Sequence, residues 1–222
     1  MSKTVRLSLI GIAVLLVAAF LAWQLRPLPY LATAKQTQEF DLQVSYDKFR
    51  QIMVRKNATK AIVSHGGMKV LNEGVDDLKL DLSKDDRPIL NAILGKSKAE
   101  VDATKILTVE INNAQIDTEQ LTLRSRALVN SERLHVESKS VGEQGQIKNY
   151  VTVISAAPAG DATRVELSLE MAIQINVPKM FTGRADAGVS NAAQAALAEQ
   201  QAAITAFIIE HADEKLVLPQ LN

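Results

Sequence analysis

Residues Thr163–Met180 read TRVELSLEMAIQINVPKM, the most regular pattern in the chain. Every second residue from Val165 to Val177 is apolar, and the intervening residues are mostly polar. Because side chains alternate between the two faces of a strand, this pattern predicts one long strand with a buried face and a solvated face. Pro178 has no amide hydrogen to donate to a ladder, so we expect the strand to end there.

The chain from about Thr182 to Asp213 is rich in alanine, which predicts a long helix. Its apolar residues recur at three- and four-residue spacing, so one stripe of the helix should be buried. We expect this stripe to pack on the apolar face of the preceding strand. It consists of Val189, Ala193, Ala196, Leu197, Ala203, Ile204, Phe207 and Ile208.

Upstream of these elements, alternating segments predict further strands connected by turn residues. A first strand is predicted at Phe40–Val44, followed by a helix at Tyr46–Arg55 that Ser45 could cap. Short helices are also predicted at 58–64 and 86–94. The remaining predicted strands are 68–71, 78–82, 105–112, 115–126, 132–140 and 148–155. A turn at Glu73-Gly74 separates the first two, and the series is predicted to form an antiparallel meander.

The N-terminal segment Leu7–Leu25 reads LSLIGIAVLLVAAFLAWQL and carries no charge. As a helix it would cover roughly 28 Å, close to the hydrocarbon thickness of a bilayer. Lys3 and Arg6 precede it and Trp23 lies at its far end, which favours a single-pass anchor with the N-terminus inside. The folded part would then be periplasmic or otherwise extracytoplasmic. The alternative is a cleaved signal peptide, for which Ala32-Thr33-Ala34 offers a site.

Composition indicates one folded domain behind this segment. The 222 residues include 25 basic and 25 acidic side chains, interleaved along the chain, and no cysteine. This balance lacks the excess of basic residues that is typical of nucleic-acid-binding domains. Because there is no cysteine, disulfides and thiolate metal sites are excluded. We expect residues 1–35 to form the anchor and a short linker, 36–215 the domain, and 216–222 a tail.

The sequence contains no recognisable catalytic constellation. His65, His135 and His211 lie on three separate elements without a metal-ligand spacing, and no nucleophile elbow, P-loop or dinucleotide fingerprint is present. We therefore expect no metal, no cofactor and a binding function rather than catalysis.

The order of elements over residues 40–211 resembles the helix-grip domains of the START and polyketide-cyclase superfamily. The best local piece is Thr163–Ile209, and Tyr46–Ile52 lies where the family often has its first helix. The fold class expected from this resemblance is α+β: a curved antiparallel sheet gripping a long C-terminal helix, plus the N-terminal transmembrane helix.

The resemblance implies a cavity between sheet and helix for a lipid, sterol, polyketide or other apolar molecule. Its candidate lining is Val165, Leu167, Leu169, Met171, Ile173, Ala193, Leu197, Ile204, Phe207 and Ile208. Whether these residues leave a pocket or fill the core stays open at the level of sequence. The expected function is a membrane-anchored, non-catalytic binding domain for such a molecule.

Two other functions remain as alternatives. One is a structural or adaptor domain of the cell envelope that binds another protein through its sheet edge or exposed helix. The other is a lipid-bridge component similar to the membrane-anchored lipopolysaccharide-transport proteins, which the strand-rich stretch 115–140 beside an N-terminal anchor suggests. The long C-terminal helix argues against the second alternative.

Overall fold

The fold was determined from a computed structural model, which describes residues 20, 23–55, 58, 68–81, 100–111 and 120–214. Besides helical residues at 20, 23–24 and 58, these ranges contain seven strands, two helices and a 3-10 turn at Lys179–Phe181. The strands are β1 (Pro27–Leu42), β2 (Met68–Asp81), β3 (Glu100–Ile111), β4 (Gln120–Val129), β5 (Leu134–Ser140), β6 (Ile147–Ala159) and β7 (Ala162–Pro178). The helices are α1 (Tyr46–Arg55) and α2 (Thr182–Ala212).

The seven strands form one curved antiparallel sheet in the order β1-β7-β6-β5-β4-β3-β2. Strands β2 to β7 follow one another as a meander, so each pairs with its neighbour in sequence. Strand β1 instead pairs with β7, from Pro27 opposite Pro178 to Leu42 opposite Thr163. Gly160 turns the chain between β6 and β7 with a φ of 65°, a left-handed conformation that favours glycine.

Helix α2 packs against the concave face of the sheet, mainly over β1 and β7. Its buried residues are Val189, Ala193, Leu197, Ala203, Ile204, Phe207 and Ile208. They join the inward side chains of β1, β6 and β7 and the buried face of α1 in one apolar cluster. Burying each large side chain stabilises the fold by about 1.5–3 kcal/mol, which fixes the helix on the sheet.

Polar pairs along β1 set the position of α2. The Tyr30 hydroxyl donates to Asp186 Oδ2 at 2.7 Å, and Gln36 Nε2 donates to Ser190 Oγ at 2.8 Å. Gln38 pairs with Gln201 further along. Because these polar side chains of β1 face the helix, each would be left unsatisfied if the helix shifted along the strand.

The predicted curved sheet and long C-terminal helix are confirmed, and the helix at Tyr46–Arg55 has the predicted bounds. Ala196, which the sequence placed in the buried stripe of α2, is only half-buried. Two strand predictions were wrong. β1 begins at Pro27 rather than Phe40. The strand includes the polar residues Gln36 and Gln38, whose side chains face inward because they are hydrogen-bonded to α2. β2 runs through the predicted turn at Glu73-Gly74, with register irregularities after Val70 and Val75 in its place.

Several predictions lie outside the described residues. These are most of the apolar run Leu7–Leu25, most of the short helix at 58–64, the helix at 86–94, and His65. In the described part of the chain, no helix combines the length and apolar character needed to cross a membrane.

The packing of α2 predicts that two adjacent isoleucines contribute very differently to the free energy of unfolding. Ile208 is 1% exposed within the cluster, whereas Ile209 is 66% exposed. Ile208→Ala should lower the free energy of unfolding by about 3 kcal/mol, because it removes buried methyl groups and leaves a cavity. Ile209→Ala, the matched control, should change it by less than about 0.5 kcal/mol. Urea unfolding measures both, and equal losses would contradict this placement of α2.

Candidate functional site

The concave face of the sheet carries two separate apolar clusters. The first lies under α2 and includes Val165, Leu167 and Leu197. The second lies on β3, β4 and the start of β6, and consists of Leu107, Val109, Leu121, Leu123 and Ile147. Tyr150 packs against both clusters. The concave surface between these two buried clusters is therefore a candidate site.

A row of polar side chains crosses the concave face between these clusters. Lys105 is opposite Ser125, Ser125 is opposite Ser138, and Ser138 is opposite Thr152, so the four lie on adjacent strands β3 to β6. We call these four residues the polar row. The Ser125 and Ser138 hydroxyls are 2.6 Å apart, and Lys105 Nζ lies 2.8 Å from Glu73 Oε1 on β2.

Most of the polar row is only partly buried. Ser125 is buried, but the side chains of Lys105, Ser138 and Thr152 retain access to solvent although they face inward. At the β2 edge the apolar side chains Val75 and Leu78, opposite Lys105 and Ala103, are 62% and 64% exposed. This part of the concave face, which we call the cleft, thus combines a partly exposed polar row with exposed apolar side chains at the β2 edge.

Tyr150 lies between the polar row and the second cluster, directly opposite Met171 of β7. Burial raises the pKa of its phenol to about 12, so the hydroxyl is neutral at physiological pH. A neutral phenol can donate a hydrogen bond as well as accept one. Desolvation likewise raises the pKa of Tyr46, whose hydroxyl donates to the carbonyl oxygen of Asn130 at 3.0 Å.

The structure brings together all ten residues that the sequence proposed as cavity lining. Each is buried, and all belong to the first cluster. Met171, Ile173 and Phe207 are the least buried of the ten, at 6–9% exposure, and Met171 borders Tyr150. A ligand between β7 and α2 therefore stays a prediction. The polar row adjoins the same cluster and, unlike its apolar residues, is partly exposed.

A second depression, of about 730 Å³, is an open groove on the convex face. Charged side chains of both signs line it, with Glu39 and Glu166 against Arg133 and Arg164. None of the ten predicted lining residues belongs to it. The mixture of charges and the open shape suit a solvated surface better than an apolar ligand.

The two described histidines have structural partners. His135 lies on the convex face, with Nδ1 3.0 Å from Ser155 Oγ. His211 Nδ1 donates to the Phe207 carbonyl oxygen at 2.8 Å, and the two rings are in contact. Among the described residues, no three histidine or acidic side chains are grouped closely enough to hold a metal ion.

Neither a family model nor a curated protein matches the sequence. Solved structures of similar overall arrangement include TTHA0849 from Thermus thermophilus, at 12% identity and TM-score 0.48, covering 81% of this chain and 99% of that one. A norcoclaurine synthase from Thalictrum flavum matches at 16% identity and TM-score 0.44, covering 82% and 98%. A START superfamily protein from Mycobacterium smegmatis matches at 11% identity and TM-score 0.45, covering 79% and 97%.

The tyrosines predict a distinct alkaline titration. The pKa of all three tyrosines is raised, in the case of Tyr30 by its hydrogen bond to Asp186. The folded chain should therefore show less phenolate absorbance at pH 10 than the unfolded chain, in which the tyrosines are about half ionised. A raised folded pKa contributes stability that is present in full below pH 10 and is lost as pH rises through about 12 for Tyr150.

Tyr150→Phe should reduce the loss of unfolding free energy between pH 10 and 12, as measured by urea unfolding at each pH. An unchanged pH dependence in this variant, or ordinary phenolate formation at pH 10 in the folded wild type, would show that Tyr150 is not desolvated.

Proposed function

We propose that this chain is a membrane-anchored, non-catalytic binding domain for a lipid or other apolar molecule, which lies in the cleft on the concave face. The observation that carries the proposal is the accessible polar row between two apolar clusters. Small-molecule sites are typically concave and mostly apolar, with a few polar groups that orient the ligand. The cleft has this composition.

The chemistry of the cleft favours an amphipathic molecule. The apolar portion would lie against Val75 and Leu78, the exposed apolar side chains at the β2 side of the cleft. Ser138, Thr152 and the neutral Tyr150 phenol would then face its polar portion. Lys105 and Glu73 form an ion pair at the β2 side of the cleft, where a zwitterionic polar group would meet charges of both signs.

The anchor and the cellular location are parts of the same proposal. The uncharged run Leu7–Leu25 is long enough to cross a bilayer, and Lys3 and Arg6 favour its N-terminal side as the cytoplasmic one. The binding domain would then face the periplasm or another extracytoplasmic space, next to a membrane that supplies apolar ligands.

An adaptor for another envelope protein is the second candidate, and one observation favours it. The edge strand β2 exposes Leu71, Val75 and Leu78, which a partner could cover. The two register irregularities of β2 weigh against addition of a further strand, since bulges disturb the regular row of edge hydrogen-bonding groups.

The test of the binding proposal is native mass spectrometry of the full chain, released from nanodiscs after incubation with a lipid extract. Thr152→Trp fills the cleft, and Val153→Trp places the same bulk on the convex face of the same strand. Lipids bound to the anchor are common to all variants. We expect a retained small molecule in wild type and Val153→Trp, reduced at least tenfold in Thr152→Trp.

Ser138→Phe provides a second obstruction in case Thr152→Trp does not fold, and urea unfolding checks each variant. Equal retention in every folded variant would place the ligand outside the cleft. A wild-type chain that retains nothing after incubation would contradict the binding proposal and favour the adaptor.

A further inference from the structure

Next to Trp23 and Leu25 of the apolar run, one end of the sheet exposes a group of apolar side chains, which we call the apolar tip: Leu28, Met180 and Phe181. Leu28 pairs with Val177 at the beginning of β1 and the end of β7. The 3-10 turn with Met180 and Phe181 follows Pro178 directly, so both parts lie at the same end. Met180 is 60% exposed and Leu28 is 49% exposed.

The chain enters the sheet at this end without a linker. Leu25 is the last residue of the apolar run, and β1 begins at Pro27. The Arg26 amide donates to the Trp23 carbonyl oxygen at 3.3 Å, which closes a turn between the two segments. Two residues span at most about 7 Å, so this end of the sheet must lie within that distance of the end of the apolar run.

Cationic side chains surround the apolar tip. Arg26 precedes β1, Lys179 precedes Met180, and Arg184 lies in the first turn of α2. None of the three forms an ion pair with another described residue. The nearby carboxylate of Asp186, which accepts a hydrogen bond from Tyr30, remains negative and offsets one of these three positive charges. The tip thus combines exposed apolar groups with available positive charge, the composition that binds anionic bilayer surfaces.

We propose that the apolar tip is a second membrane contact, which lies in the interfacial region of a bilayer containing anionic lipid. The domain is then docked on the membrane with its strands directed away from it, rather than swinging on a flexible tether. This inference rests on the anchor of the proposed function and adds a contact that the anchor alone does not require.

The experiment uses the absence of cysteine in the chain. Met180→Cys and Asp161→Cys each receive an environment-sensitive NBD label in the full-length protein. Asp161 is exposed in the turn between β6 and β7, at the other end of the sheet and roughly 50 Å from the tip along β7. Each protein is reconstituted into phosphatidylcholine vesicles with and without phosphatidylglycerol, and nitroxide-labelled lipid serves as the quencher.

We expect the label at position 180 to emit at shorter wavelength and to be quenched severalfold more than the label at position 161. Replacing Arg26, Lys179 and Arg184 with glutamine should reduce the difference in phosphatidylglycerol vesicles. Flotation after a carbonate wash tests the anchor independently. Proteins that float but show equal, weak quenching at both positions would overturn the tip contact and leave the anchor intact. Proteins that do not float would overturn both.

Discussion

The pairing of β1 with β7 is the contact on which the rest of the structure depends. It joins the start of the folded chain to its last strand over the whole length of β1. Residues of the two strands together form the apolar surface that receives α2. Without this pairing, the inward face of β7 would have a neighbour on one side only, and Tyr30, Gln36 and Gln38 would lack their partners on α2.

The elements with strong local periodicity could be predicted from sequence. β7 alternates without interruption and α2 repeats its apolar residues at helical spacing, so both were placed to within a residue or two. β1 could not be placed, because two of its inward positions are glutamines whose partners lie more than 150 residues away. A strand whose polar side chains are hydrogen-bonded only to a distant helix has the same local sequence pattern as a surface loop.

The cleft was missed for a related reason. Lys105, Ser125, Ser138 and Thr152 come from four strands, and each is an ordinary polar residue in its own segment. Only the strand register places them side by side on the concave face. The sequence instead directed attention to the apolar residues of β7 and α2, which the structure gathers in the first cluster. The polar row and that cluster meet at Tyr150 and Met171, so they are parts of one concave surface.

We propose that the concave face, and not the convex one, accepts an apolar molecule. Methyl NMR of the full chain in nanodiscs with a nitroxide-labelled fatty acid tests this proposal. Met171 reports on the concave face beside Tyr150, and Val153 reports on the convex face of β6. We expect strong paramagnetic broadening of the Met171 methyl and little of the Val153 methyls. Broadening of Val153 alone, or of neither residue, would contradict it.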